Sequence, residues 1–297
     1  MNIKAKGAWI GGSGSWGTET ANFPLLDPRI KKVEFLEPLE TPFGTSASPH
    51  FLMIGDEPIL HFTMHGWQRD PSGKSIPTWE RSKQVAWVLQ QSGVEWAVVE
   101  ASVGGIARPD NGELLPPWSV VITDDLIPMY MPSDFPPVLN PDNPYPRMRD
   151  PFCSVLSGAL FQEASSEPKF VHVANGGVYV CTKTGRFEFT AEIEAFRQLG
   201  GHIVGQTLAY EVVLLKQLGI HFASLNIVSN YAEGVCEHWV GDDSPGAMAE
   251  FYLECPTYVV PTMVGAIETI LTNGINGCSC NAHRLTGMHQ FPTDFNS

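Results

Sequence analysis

Between residues 178 and 234 the chain carries two helical patterns and three strand-like runs with almost no slack between them. Apolar residues recur at helical spacing over 190–199 and 208–218, and each run is stopped by glycine, Gly200-Gly201 in the first and Gly219 in the second. Residues 178–181, 202–205 and 221–229 read as strands. Strands and helices that alternate through such short connections have one economical solution, a sheet with helices packed on it. Polar clusters fall where the strands end: 184–188, 206–207 and 229–233. Ligands of open α/β sheets bind beyond the carboxyl ends of strands, so these three clusters are expected to line one pocket.

The rest of the chain extends the same alternation. Residues 8–12 are a short apolar strand entering the loop Gly11-Gly12-Ser13-Gly14-Ser15, whose amides can face an anion. Residues 41–44, TPFG, read as a turn, and 51–54 with 58–64 as a hairpin. Residues 79–91 form an amphipathic helix, with Thr78 as its expected N-cap and Gly93 as its stop. A buried strand over 94–100 is followed by an expected turn at 101–105. Residues 120–125, 169–174 and 178–181 are further strands, and 151–164 a helix. Eight prolines between 128 and 151 leave a long irregular loop, which in a compact domain is usually functional or lies at an interface. Residues 234–258 read as loop, 259–272 as a last helix, and 274–297 as a tail without periodicity. The expected architecture is α/β: a single domain over 1–273 with a mixed central sheet flanked by helices, then the tail.

Among 297 residues, 32 are acidic and 18 basic, for a net charge of −14. That balance opposes non-specific nucleic-acid binding and adhesion to an anionic membrane. No apolar run is long enough to span a bilayer, and the first residues lack a signal peptide's apolar core, so a cytoplasmic protein is expected. Cys153, Cys181, Cys236 and Cys255 are scattered, as in a reducing compartment. Cys278 and Cys280 form a C-S-C near the end of the chain. With only His283 nearby in sequence, they lack a ligand set, so plain thiols and no metal site are expected, with a strained local disulfide or an adventitious metal as the alternatives.

The ordered motifs carry a family resemblance: IGGSG at 10–14, TPFG at 41–44, HGWQ at 65–68, ASVGGI at 101–106, GVYVCTKTGRFEFTAEI at 177–193, GQTLAYEVVLLKQLGI at 205–220 and IVSNYAEG at 227–234. Over roughly 8–234 the chain resembles the methylthioadenosine phosphorylase branch of the purine nucleoside phosphorylases. It is most similar to 6-oxopurine members such as the methylthioinosine phosphorylases. The resemblance implies a homotrimer of single α/β domains with a distorted central sheet. It also implies phosphorolysis of a purine nucleoside, with phosphate as co-substrate and neither metal nor organic cofactor.

Such a reaction needs a donor for the leaving purine, a grip on the ribose and a cradle for phosphate. By resemblance, Asn230 faces purine N7 and is the catalytic donor. Asn230 and Ala232 replace the D-x-D of adenosine-specific relatives; an amide serves O6 and N7, and the lost carboxylate removes the acceptor for a 6-amino group. A 6-oxopurine is therefore preferred. Phe187 stacks on the base and Glu188 orients it. Ser13, Ser102 and Thr207 bind phosphate, with Arg69 as a source of charge. Gln206 stands at the sugar, and Tyr145 is the candidate that a neighbouring subunit would lend to its 5′ side. Three positions depart from the family: Trp67 where Arg or His is usual, Ala101 where Thr or Asn is usual, and Lys183 where the side chain is usually neutral or acidic. Two other readings stay open. One is a family member of weak or lost activity that binds a planar aromatic between Trp67, Trp79, Phe187 and Tyr231. The other is a hydrolase in which water replaces phosphate.

Overall fold

The computed structural model describes residues 3–65, 73–137, 139–240 and 246–282. Strand β1 (Gly7–Gly11) runs into a single 3-10 turn at Ser13–Ser15. The short helix α1 (Phe23–Leu26), strand β2 (Ile30–Phe35) and the small hairpin β3 (Glu40–Thr41) and β4 (Gly44–Thr45) precede the hairpin β5 (His50–Ile54) and β6 (Glu57–Thr63). Helix α2 (Thr78–Ser92) leads to β7 (Trp96–Gly105), β8 (Ser119–Ile122) and β9 (Asp125–Pro128). Beyond the proline-rich loop come α3 (Ser154–Ser166), β10 (His172–Asn175), β11 (Val178–Cys181), α4 (Thr190–Gln198), β12 (Ile203–Gly205), α5 (Leu208–Leu218) and β13 (His221–Tyr231). Helices α6 (Ala247–Glu254) and α7 (Pro256–Asn273) follow.

Among the described residues eleven strands make one mixed sheet, in the order β10-β8-β13-β7-β1-β6-β5-β2. A branch leaves it where the end of β7 pairs antiparallel with β12, which continues through β11 to β9. Strands β6, β1, β7 and β13 are mutually parallel, so their carboxyl ends share one edge. Successive side chains of a strand face opposite sides. In β7, Ala97 and Val99 join a core with α2 and α5, while Trp96 and Val98 join a second core with α3 and α7. This is the α/β domain expected, its mixed sheet covered by helices on both faces. No helix among the described residues is long and apolar enough to cross a membrane.

Four readings change. The expected turn at 101–105 is the second half of β7. Its glycines serve close approach rather than reversal: Gly104 pairs with Val204 and Asn230, and a Cβ on Gly105 would lie 2.3 Å from the Leu115 carbonyl oxygen. Part of the 234–258 loop is helix α6, whose single buried side chain, Phe251, leaves little periodicity to read. Pro77, not Thr78, is the N-cap of α2, and Thr78 is the first helical residue. The expected strand over 120–125 divides into β8 and β9. Strand β2 gave no strand signal because it pairs on one side only, and its mostly exposed IKKVEF carries the charges suited to an edge.

The branch depends on Gly205, where a Cβ would meet the Tyr179 hydroxyl at 2.0 Å; that ring is 1% exposed and has no room to yield. Gly205→Ala should cost about 1–3 kcal/mol of stability. The expected readout is a lower urea midpoint at unchanged slope.

Candidate active site

The loops after β1 and β6 meet a buried carboxyl group on β7. Glu100, in β7, is 0% exposed. Its Oε1 accepts from the Gly12 amide at 2.7 Å and the Ser15 hydroxyl at 2.6 Å, and its Oε2 accepts from the Gly14 amide at 3.0 Å. Burial pushes the Glu100 carboxyl up, against the opposing pull of these donors and of His65. The loop therefore presents its amides to an internal carboxyl group. Those of Gly12 and Gly14, which the sequence offers as phosphate donors, are already committed. A side chain at Gly12 would strike the Glu100 carbonyl oxygen at 2.1 Å, so glycine is needed for this approach.

His65 follows β6 with φ of +67°, in the left-handed region that non-glycine residues rarely enter. Its Nε2 is hydrogen-bonded to Glu211 Oε1 in the first turns of α5, and both side chains are buried. Burial alone would lower the His65 pKa, but the Glu211 charge and hydrogen bond, with Glu100 beyond, outweigh it and the group titrates above its ordinary value. This pair joins the β6 loop to the helix that begins just after Thr207.

At the expected phosphate end, Ser13 and Ser102 meet through their hydroxyls, and the Ser102 amide donates to Ser13 Oγ at 3.2 Å. Tyr252, on α6, reaches Ser102 Oγ at 2.9 Å. Sequence reasoning missed it because α6 was read as loop. Thr207 is the N-cap of α5, and its amide is 3.4 Å from the Tyr179 hydroxyl. Ala101 is buried inside β7. Trp67 and Arg69 lie outside the described residues.

The expected base end forms where β13, β7 and β12 meet. Asn230 is buried at a bulge in β13, in register with Gly104. Its Oδ1 accepts from Ser229 Oγ at 2.8 Å, and its Nδ2 donates to the Tyr231 carbonyl at 2.8 Å. Each end of the amide keeps one further hydrogen-bonding capacity. Ala232 is buried against Gly104. Glu188 is buried and accepts from Thr182 Oγ1 at 2.5 Å, while Gln206 Nε2 spans Arg186 O at 2.6 Å and Glu188 Oε1 at 3.4 Å. Two of the three polar clusters thus touch directly, and strand pairing through Gly104 and Val204 brings in the third.

Phe187 is 55% exposed and meets Trp239 edge-on, with centroids 5.0 Å apart. Tyr145 is 74% exposed on the proline-rich loop. Lys183 is exposed, with its ammonium 5.4 Å from the Tyr130 ring. Trp79 packs against Tyr130 and Tyr210 at the rim of a hydrophobic core. Tyr231 pairs through its backbone with Gly105.

The family model described as the phosphorylase superfamily matches residues 28–254. A 6-oxopurine nucleoside phosphorylase of Pyrococcus furiosus is 30% identical over 236 residues, covering 77% of this chain and 80% of its own. A probable S-methyl-5′-thioinosine phosphorylase of Methanopyrus kandleri is 32% identical over 200 residues, 66% of this chain and 72% of its own. Among solved structures, a methylthioadenosine phosphorylase from an antarctic soil metagenomic library superposes with a TM-score of 0.75 at 19% identity. It covers 95% of this chain and 92% of that one.

The raised His65 pKa depends on Glu211. In an NMR titration His65 should titrate above about 6.5 in the wild type and below it in Glu211→Gln, where burial is opposed by Glu100 alone. The sign for stability follows. A raised folded pKa contributes fully below about pH 6.5 and is lost as pH rises through the folded value. Wild type should therefore lose stability as pH rises above about 6.5, whereas Glu211→Gln, with its folded pKa below about 6.5, should gain stability as pH rises towards that value.

Proposed function

The chain belongs to the phosphorylase superfamily, and from that premise we propose that it cleaves a 6-oxopurine nucleoside, or its 5′-methylthio analogue, by phosphorolysis. Phosphate displaces the base at C1′, yielding the sugar 1-phosphate and free purine. The observation that carries the base preference is the end of β13, where Asn230 offers an amide and the buried Ala232 offers no carboxylate. An amide has both a donor and an acceptor for N7 and O6, whereas a 6-amino group would lack its second acceptor. Relatives named for 6-oxopurine nucleosides and for methylthioinosine support the same choice.

In this reading Asn230 stabilises the leaving purine, with Glu188 orienting it and Phe187 lying on its face. Gln206, held by Arg186 and Glu188, meets the sugar. Ser13, Ser102 and Thr207 hold phosphate, with charge from Arg69 and no cofactor. The working unit is a homotrimer in the cytoplasm, in which Tyr145 of a neighbouring copy closes the 5′ side. The domain spans 1–273 and 274–297 is an appendage.

A second reading is favoured by Glu100. A carboxylate that occupies two loop amides competes with phosphate for the same donors, and Ala101 supplies no hydroxyl. Losing one such donor commonly costs about 10²–10³ in rate. The protein would then bind a planar aromatic with little turnover.

Phosphate-dependent release of hypoxanthine from inosine or methylthioinosine is the expected outcome. Absence of turnover on these and on methylthioadenosine, with calorimetric binding of planar aromatics, would establish the second reading instead. The Asn230→Asp, Ala232→Asp double variant should shift the kcat/KM ratio toward adenine nucleosides by about tenfold or more, the worth of one buried hydrogen bond to a charged group. An unchanged ratio would remove Asn230 from the base site.

A further inference from the structure

At the opposite edge of the sheet, four soft ligands converge. Cys153 is the N-cap of α3, His221 is the first residue of β13, and Cys278 and Cys280 lie in the turn beyond α7. Their Sγ and Nδ1 atoms all lie within 4.8 Å of one another. Cys153 Sγ is 3.5 Å and Cys278 Sγ 3.3 Å from the same His221 Nδ1. One imidazole nitrogen has a single in-plane hydrogen or lone pair and cannot satisfy two sulfurs linearly. A shared metal resolves the conflict. Tetrahedral zinc, with bonds of about 2.3 Å to sulfur and 2.0 Å to nitrogen, sets its ligands about 3.5–3.8 Å apart. The cluster approaches that size without a metal.

The geometry points to a structural zinc site of Cys153, His221, Cys278 and Cys280. The sequence alone leaves these cysteines with only His283, which lies outside the described residues; the fold supplies Cys153 and His221 from more than fifty positions upstream. The backbone amides of Leu156 and Val155, in the first turn of α3, are directed at the Cys153 sulfur. Arg147 and Lys216 line the hollow beside Cys280, which suits a centre of three thiolates, one neutral imidazole and Zn²⁺, net −1. On binding, three thiol protons leave to solvent as three sulfur–zinc bonds form. Four protein ligands close the site, which marks it as structural rather than catalytic. It lies nine residues along β13 from Asn230, roughly 30 Å at strand rise. Its role is to pin the segment after α7, where Ile275 packs on the second core, to α3 and β13.

The test uses the full-length wild-type chain, purified with reductant and offered Zn²⁺. Metal analysis should find one zinc per chain. Cys153→Ser and Cys280→Ser should each fall below about a tenth of that. Cobalt in place of zinc should show the visible bands of a tetrahedral centre and a near-ultraviolet thiolate charge-transfer band. Chelation should lower the thermal midpoint of the wild type and leave that of the variants unmoved. If the variants fail to fold, the cobalt spectrum of the wild type still decides. Less than a tenth of an equivalent of zinc with only octahedral cobalt would overturn the proposal. So would a mass two hydrogens short, mapped to a Cys278–Cys280 disulfide under the same reducing conditions.

Discussion

The carboxyl edge of the parallel strands depends on the burial of Glu100. A carboxylate with no access to water costs several kcal/mol unless donors surround it, and here they come from the loop after β1. Gly12, Gly14 and Ser15 all donate to it. The arrangement ties β1 to β7 at their carboxyl ends and sets the path of the glycine-rich loop. It also brings His65 under the influence of two acids, Glu100 and Glu211. The left-handed backbone at His65 is held by the contact with Glu211. Four elements are thus organised around one buried carboxyl group.

That same group reverses the usual meaning of a glycine-rich loop. Such a loop after a first strand is read as an anion cradle because its amides converge. Here they converge on a carboxyl group of the protein itself. Beside it the hydroxyls of Ser13, Ser102 and Tyr252 are linked to one another, and Thr207 caps α5. Asn230 and Ala232 sit where β13 bulges against the glycines of β7, and the absence of side chains at Gly104 and Gly105 lets β12 and β13 approach from either side.

Much of this was legible because the elements are long and their periods clear. Residues 208–218 and 178–181 were read at their true limits, and Gly93 and Gly219 end helices in the left-handed conformation as their positions suggested. Readings failed where a local signal had two meanings. The glycines at 104–105 resemble a turn, yet they serve close packing within a strand. Helix α6 buries one residue and so lacks a pattern, which hid Tyr252. Thr78 is a good cap by type, but Pro77 already holds the extended backbone that the position requires.

The sequence by itself determined the α/β alternation, the order of motifs that marks the family, and the residue types at the base end, because these follow from local period and composition. Only the tertiary structure decided that the loop amides belong to Glu100, that Tyr252 reaches Ser102, and that Cys153 and His221 meet Cys278 and Cys280. Each of these joins residues far apart in the chain. Their distances are set by how the sheet twists and branches, and local sequence carries no measure of that.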